Sequence, residues 1–168
     1  MNNAEEMFPK MRRIRQQLTD EETEEIFING KSGVLSLNGT NGYPYSVPVS
    51  YVYCDGKIIF HGAKKGYKIE CIENDSRASF CVIAKDEIVP EKYTTYFASA
   101  VAFGNVKILS DEKEKWDACD RLAAKYRPDF EEERKAEMTR EWPATNVFVF
   151  EIEHMTGKQA IELVNREK

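Results

Sequence analysis

The chain has 168 residues, a formal net charge of −5 and 42% hydrophobic residues, which fits one globular domain and argues against intrinsic disorder. A mildly acidic chain without a dense basic block is not expected to bind nucleic acid. No apolar run approaches the roughly 20 residues that span a bilayer, and the N-terminus lacks the apolar stretch of a signal peptide. We therefore expect a cytoplasmic protein without a membrane segment.

The cysteines do not form a metal-binding or disulfide pattern. None of the four belongs to a C-x-x-C pair, and their spacings match no zinc module; they are Cys54, Cys71, Cys81 and Cys119. Each lies in or beside an apolar-patterned segment, so we interpret them as reduced thiols that act as small hydrophobic side chains. No metal site is expected.

The first predicted element is a short helix. Thr19 and Glu22 have the three-residue spacing of a capping box, in which each side chain accepts a hydrogen bond from the other residue's backbone amide. The helix should run to about Phe27, because Asn29-Gly30 is typical of a helix end.

Strands are predicted next. The segments 32–39, 43–53 and 57–63 are rich in alternating, β-branched or aromatic residues, and turns with glycine separate them. Pro44 and Pro48 lie four residues apart, so both project to the same side and neither offers an amide donor. The prolines indicate a sheet edge, or a place where the strand leaves its ladder and lines a site.

The second half of the sequence alternates between helices and strands. A charged loop with Pro90 is predicted over 85–93, and Gly104 is expected to mark a bulge or bend. One helix from about residue 111 to 126 carries a stripe that we interpret as packing against the sheet: Trp116, Cys119, Leu122, Ala123 and Tyr126. The other segments predict helices over 67–74 and 130–138, and strands over 78–84, 94–109 and 145–155.

This order predicts an antiparallel β-barrel of about six strands with helices on its outside. The order begins with several consecutive strands and does not show the regular strand–helix alternation of a parallel sheet, which favours antiparallel pairing. We assign residues 18–155 to the barrel domain, residues 1–17 to an N-terminal leader and residues 156–168 to a C-terminal tail. The chain lacks a Walker A loop, a dinucleotide-binding glycine motif and a serine-hydrolase elbow.

The segment FHGAKKGYKIECI carries the strongest indication of a binding site. A strand delivers His61, and Gly62 and Ala63 allow close approach of a ligand to the backbone. Lysines then cluster at the start of a short helix, where unpaired amides and cations together favour a phosphate; they are Lys64, Lys65 and Lys68. The alternative is a solvated lysine turn beside one interfacial histidine.

Three stretches together resemble the nitroimidazole-resistance group of the pyridoxamine 5′-phosphate oxidase-like flavoproteins, which share an FMN-binding split barrel. They are MRRIRQQLTDEE, the long segment from SGVLSLNGTNGYPYSVPVSYVY through DGKIIFHGA and GYK to CV, and TTYFASAVAFGNVKIL. Their order resembles the group from about residue 11 to 109, and TNVFVFEIEHMTGKQ continues it. The chain lacks the arginine-rich C-terminal segment that holds pyridoxal phosphate in pyridoxamine phosphate oxidase itself, so we do not expect vitamin B6 synthesis.

The resemblance implies a homodimer that holds FMN between two barrels. It places Val49, Ser50 and Tyr51 beside the flavin ring, largely through backbone contacts, and His61-Gly62-Ala63 along the ring and the ribityl chain. It assigns Lys68 to the phosphate, with Lys64 or Lys65 assisting. It also places Ser99 on a strand that helps to bind FMN, within a residue or two.

His61 has two interpretations. The resemblance places it at the active site, where it would contact flavin or substrate as a catalytic residue. It could instead be structural and hold the strand end through a hydrogen bond. His154 and the Trp142-Pro143 turn are interpreted as structural, although a tryptophan in that turn could cover a cofactor of the partner subunit.

Three functions follow from these observations. The first is an FMN-dependent oxidoreductase that reduces a small aromatic or nitro compound, with most of the chemistry supplied by the cofactor. The second is a non-catalytic flavin-binding or redox-sensing protein. The third is a haem-binding split barrel with His61 or His154 as the iron ligand. The lysine-rich turn favours FMN over haem.

Overall fold

The computed structural model describes residues 7, 8 and 10–164. The remaining residues of the expected leader and tail, 1–6, 9 and 165–168, lie outside the described residues. The strands are β1 (Ser32–Asn38), β2 (Pro44–Ser50), β3 (Val52–Cys54), β4 (Lys57–Ala63), β5 (Arg77–Val89), β6 (Thr94–Ile108) and β7 (Thr145–Gln159). The helices are α1 (Asp20–Asn29), α2 (Tyr67–Asn74), α3 (Glu112–Tyr126), α4 (Glu131–Glu141) and α5 (Ile161–Val164). Short 3₁₀ turns cover Ile14–Gln16, Pro90–Lys92 and Trp142–Ala144.

The strands form one antiparallel sheet of seven strands in the order β2-β1-β5-β6-β7-β4-β3. The hydrogen-bonded sheet is open, but its two edge strands are consecutive in the chain and are separated only by Tyr51. One continuous segment therefore pairs with β1 at one edge and with β4 at the other, and it joins the two edges covalently. The predicted antiparallel architecture with peripheral helices is confirmed.

The strand count differs from the expected six because one predicted strand is two. Residues 43–53 change partners at Tyr51, where no ladder pairing occurs. Pro44 and Pro48 lie exposed on β2, which is a sheet edge. An edge strand has a neighbour on one side only, so it tolerates residues that lack an amide donor.

The predicted capping box starts α1. The amide of Glu22 donates to the Thr19 hydroxyl at 3.1 Å, and the amide of Thr19 donates to the Glu22 carboxylate at 2.7 Å. The helix buries Phe27 completely, and the carbonyl of Phe27 accepts a 2.7 Å hydrogen bond from the Tyr51 hydroxyl. Helix α1 is thereby fixed to the segment that joins the sheet edges.

Two hydrophobic clusters lie on opposite faces of the sheet. The inner one contains fully buried aromatic residues such as Phe60, Phe80 and Phe148. The outer one packs α3 and α4 against β4 and β7, through residues that include Ile59, Leu122, Met138, Val147 and Val149. Because alternate strand residues face opposite sides, β4 and β7 contribute to both clusters.

The predicted charged loop over 85–93 is wrong. Strand β5 continues to Val89 and pairs with β6 as far as Thr94, so the turn is confined to Pro90–Lys92 and Tyr93, whose φ is 50°. Charge in a segment does not prevent strand pairing when its side chains are exposed, because the ladder is made by the backbone. Asp86, Glu87 and Ile88 all lie exposed on this projecting hairpin.

The predicted bulge at Gly104 is confirmed by a register shift between β6 and β7 at Phe103 and Gly104. A side chain at Gly104 would collide with the backbone of Glu151.

The last strand is longer than predicted, because β7 continues to Gln159, so residues 156–159 of the expected tail belong to the sheet. Among the described residues, none of the helices has the length and apolar character needed to cross a membrane.

Candidate functional site

A groove of about 620 Å³ lies where the end of β4 meets α3 and α4. Its strand side is formed by Ser50, by His61-Gly62-Ala63 and by Thr145. Its helical side is mainly apolar and comes from Cys119, Leu122, Ala123, Tyr126, Met138 and Trp142, with Ala144 and the carboxylates of Glu137 and Glu141 completing the lining. The groove therefore offers a backbone edge on one side and a largely apolar wall on the other.

The strand side is positioned by the pairing of β4 with β7. His61 lies opposite Val147 and Ala63 lies opposite Thr145, and the amide of Lys64 donates to the carbonyl of Ala144 at 3.2 Å just beyond the ladder. These bonds fix the end of β4 beside the turn that contains Trp142. Four of the residues that the resemblance implied are brought together here: Ser50, His61, Gly62 and Ala63.

His61 belongs to the helix-facing side of β4. Ile59, two residues earlier, packs in the cluster with α3 and α4, so the alternation of the strand directs the imidazole to the same side. The ring keeps part of its surface exposed. Desolvation by the surrounding walls, followed by the positive charge of Lys68, lowers the pKa of His61. The lowered pKa favours the neutral imidazole, the form that can accept a proton.

Lys68 lies on the opposite, inner side of β4. Its ammonium Nζ is 5.0 Å from the ring centroid of Phe148 and 5.6 Å from that of Phe60. A Cβ built on Gly62 would lie 2.7 Å from Nζ, so the absence of a side chain at Gly62 leaves the space that the ammonium occupies. Lys68 does not line the groove itself but lies directly behind its backbone edge.

The charge on Lys68 is unbalanced within the part of the chain that the structure describes. No carboxylate lies within 4.0 Å of its ammonium there, and burial lowers the pKa of the group. The aromatic faces of Phe60 and Phe148 compensate part of the lost hydration through cation–π attraction. A half-buried cation of this kind favours an anionic ligand, whereas Lys64 and Lys65 are exposed.

The start of α2 adds amide donors near Lys68. Gly66 precedes the helix with a φ of 132°, a conformation that favours glycine, and no side chain caps the helix start. The first amides of a helix without a capping side chain are free to bind an anion. The end of β4, the turn to Gly66 and the start of α2 thus combine a cation with amide donors.

Val49 and Tyr51 are not among the residues that line the groove. The Tyr51 side chain is fully buried in the core, and its backbone amide donates to the Tyr126 hydroxyl at 2.9 Å. The same hydroxyl lies 2.8 Å from the Tyr51 carbonyl and 2.6 Å from that of Lys31. Val49 packs partly buried against the inner cluster. The backbone of Tyr51 is therefore occupied by a residue of α3.

Ser99 lies far from the groove of its own chain. It pairs with Lys158 near the C-terminal end of β7, whereas the groove lies at the N-terminal end of the same strand, beside Thr145. Two residues along β6, Val101 is on the same side of the sheet as Ser99. A single chain does not bring Ser99 to the other candidate residues.

The helical wall is the part of the site that the sequence did not identify. The stripe with Cys119, Leu122 and Ala123 was interpreted as packing, and it does pack, but its edge also lines the groove. An apolar helix stripe has the same pattern whether a strand or a ligand covers it, so no signal in the sequence separates the two. Met138 and Trp142 enter the groove through the tertiary placement of α4 and of the 3₁₀ turn that follows it.

The sequence model of the family described as pyridoxamine 5′-phosphate oxidase matches residues 19–159 of the chain. The match includes all strands, the groove and the start of α2. Comparison with curated protein sequences gave no significant match.

Several solved structures share the fold at low sequence identity. One is a protein from Bacteroides thetaiotaomicron named for resistance to 5-nitroimidazole antibiotics, with a TM-score of 0.73 and 22% identity over 85% of this chain and 86% of that chain. The flavocytochrome Anf3 from Azotobacter vinelandii has a TM-score of 0.74 and 18% identity, over 90% and 72% of the two chains. An FAD- and haem-binding protein from Mycobacterium smegmatis has a TM-score of 0.70 and 18% identity, over 87% and 73%.

Proposed function

Because the chain belongs to the pyridoxamine 5′-phosphate oxidase family, we propose that it is an FMN-dependent oxidoreductase that reduces a small aromatic or nitro compound. The observation that carries this proposal is the Lys68 ammonium, which lies half-buried behind the end of β4 without a carboxylate partner among the described residues. A phosphate group would supply the missing negative charge.

The groove supports the flavin part of the proposal. A ligand whose phosphate lies at the start of α2 would extend along the backbone of His61-Gly62-Ala63 into a space of about 620 Å³. The apolar helical wall, with Leu122 and Met138, would exclude water from a flat ring. FMN, when bound, supplies the redox chemistry, and the protein supplies position and electrostatics.

His61 is the candidate for a catalytic residue in this proposal. Its imidazole lines the groove, and its lowered pKa favours the neutral form, which can accept a hydrogen bond or a proton from a bound substrate. Lys64 and Lys65 are exposed, and they would add positive electrostatic potential near the phosphate.

A homodimer belongs to the same proposal. Half-buried residues form a row across four strands on the side of the sheet opposite the inner cluster: Val34, Cys81, Val101 and Thr156. Ile83 is 63% exposed on the same side. A second copy packed on this surface would cover these side chains, and it would give Ser99 a route to the groove of the partner.

The experiment is to purify the protein, record its visible spectrum and titrate the protein freed of ligand with FMN, FAD and riboflavin. We expect two flavin absorption bands, tighter binding of FMN than of riboflavin, and reoxidation of the reduced flavin by a nitroaromatic compound. If FAD binds more tightly than FMN, the cofactor is FAD and the FMN assignment is wrong. A Soret band would indicate haem instead, and bound flavin without reoxidation would indicate a non-catalytic flavin protein.

A further inference from the structure

Trp142, which lines the groove, is held by three residues of one helix. Its indole Nε1 donates to the Glu112 carboxylate at 2.8 Å. The Lys115 ammonium lies 4.1 Å from the centroid of the Trp142 ring. The ring of Trp116 packs edge-on, with 5.0 Å between the ring centroids and an angle of 62° between the planes.

The spacing of these contacts explains how they converge. Glu112, Lys115 and Trp116 are separated by three and four residues, so they lie on one face of α3. Trp142 begins the 3₁₀ turn that leads from α4 into β7. One helical turn thus fixes a single indole from another part of the chain by a hydrogen bond, a cation and a second aromatic ring.

The position of Lys115 requires a reason, because its side chain is only 4% exposed. No carboxylate within 4.0 Å pairs with it in the described part of the chain. A methionine or leucine could fill this position without a charge, so the contact between the ammonium and the Trp142 ring is what distinguishes the lysine. The indole face is the group that compensates Lys115, so the pair fixes the ring where a neutral side chain would merely contact it.

We propose that Trp142 is the aromatic platform of the groove and that Lys115 is its positioning residue. The ligand is a planar aromatic ring system, either the flavin ring or a flat substrate. This inference rests on the proposed function, because it assigns the ring-binding wall of the same site. Trp142 lines the groove beside Met138 and Ala144, so an indole held in one orientation presents a flat surface to a ring that enters there.

The test uses lumichrome, which has the flavin ring system but no ribityl phosphate, and nitrobenzene as the probe of a flat substrate on the FMN-loaded protein. Binding to the parent is compared with binding to Trp142→Leu, Lys115→Met, Lys115→Arg and the control Lys113→Met, which changes an exposed lysine of the same helix. Affinity for FMN is measured in parallel on each variant.

We expect Trp142→Leu to weaken lumichrome or nitrobenzene binding about threefold to tenfold, as for the loss of an aromatic pair. Lys115→Met should weaken binding of the same ligand. Lys115→Arg should retain that binding, because arginine also binds an indole face, and Lys113→Met should have no effect. Loss of lumichrome binding would assign the platform to the flavin, and loss of nitrobenzene binding alone would assign it to the substrate.

Unchanged binding of both probes by folded Trp142→Leu, with FMN still bound by the parent, would overturn this inference and leave the proposed function intact. If Trp142→Leu does not fold, equal binding by Lys115→Met and the parent overturns the positioning role. A parent that binds neither FMN nor lumichrome would overturn the proposed function and the platform with it.

Discussion

The Lys68 ammonium occupies the space that a side chain at Gly62 would need, since a Cβ built on Gly62 would lie 2.7 Å from Nζ. Gly62 is part of the backbone edge of the groove, and Lys68 lies behind that edge on the rings of Phe60 and Phe148. A glycine in the strand is therefore what allows a cation to lie so close to the groove backbone.

We predict that Gly62→Ala weakens FMN binding but leaves the fold intact. The added methyl meets only the end of a flexible lysine and, at 3.5 Å, the edge of Phe148, so the ammonium moves rather than the backbone. Isothermal titration should show a loss of roughly tenfold or less, smaller than the loss of a complete charge-assisted hydrogen bond. In a Lys68→Ala background the same change should have no further effect on FMN affinity. An additive loss would mean that Gly62 acts independently of Lys68.

Lys68→Ala should weaken FMN binding about tenfold to a hundredfold, as expected for a charge-assisted hydrogen bond of about 1.5–3 kcal/mol. Riboflavin has no phosphate, so its affinity should not change. Lys65→Ala is the matched control, because that lysine is exposed in the same turn and should have the smaller effect. Equal FMN affinity in Lys68→Ala and the parent would exclude Lys68 from the phosphate site.

For His61, the two interpretations give different results in the variant His61→Ala. If the imidazole acts on the substrate, FMN should stay bound, and stopped-flow reoxidation of the reduced protein, normalised to flavin content, should slow. If His61 is structural, the melting temperature should fall and FMN should bind more weakly, while turnover per bound flavin stays nearly unchanged. Equal reoxidation rates at every pH would remove His61 from the active site.

The pKa of His61 also predicts how stability depends on pH. Its pKa is lower in the folded protein than the 6.5 of the unfolded chain, so the unfolded state binds the proton more tightly. Stability contributed by this group is therefore complete above about pH 6.5 and decreases as the pH falls through that value. The melting temperature of the parent should fall more between pH 7.5 and 5.5 than that of His61→Gln. An identical fall in both proteins would contradict a shifted pKa.

Tyr126→Phe should destabilise the junction between β2 and β3. The change removes a hydroxyl that accepts from the Tyr51 amide at 2.9 Å and lies 2.6 Å from the Lys31 carbonyl, so a partly buried amide loses its partner. We expect a loss of about 1–3 kcal/mol in the free energy of unfolding, measured by urea denaturation. Tyr43→Phe is a suitable control because Tyr43 is 74% exposed. A loss below about 0.5 kcal/mol would show that water replaces the hydroxyl.

The proposed dimer predicts that Val101→Lys yields a monomer. Val101 lies at the middle of the half-buried row on the outer side of the sheet. A second copy that packs there would bury the lysine ammonium without an opposite charge, which is costly. Sedimentation should give a dimer for the parent and a monomer for the variant. A parent that binds flavin as a strict monomer would contradict the dimer and leave Ser99 without a role.

Local signals in the sequence predicted the elements that depend on few residues. Two of these are specified by the residues themselves: the Thr19–Glu22 capping box, and the glycine turn between the predicted strands 43–53 and 57–63. In the structure that turn is Asp55-Gly56, with φ values of 51° and 73°. Gly104 was identified as a bulge because a strand glycine usually marks one. The resemblance to the flavoprotein family, which rested on the order of several segments, is confirmed by the family match over residues 19–159.

The features that were not predicted depend on distant partners. Pro44 and Pro48 indicate an edge or a departure from the ladder, but they do not indicate that the strand changes neighbours at Tyr51, where the hydroxyl of Tyr126 on a distant element binds the backbone. The inner position of Lys68 depends on Phe148, far along the chain. The charged composition of residues 85–89 is typical of a loop and does not indicate that the exposed strand there pairs with β6.

The continuity of β2 and β3 through Tyr51 has a consequence for how the molecule can open. In an ordinary open sheet, either outer strand can fray alone while the rest stays paired. Here the two outer strands share one short stretch of chain, and that stretch is anchored to both α1 and α3. Thermal peeling that starts at one border must displace the Tyr51 anchor before it proceeds, and the opposite border loses its attachment at the same moment. The two edge strands of this sheet are therefore expected to open together, and neither is its weakest part.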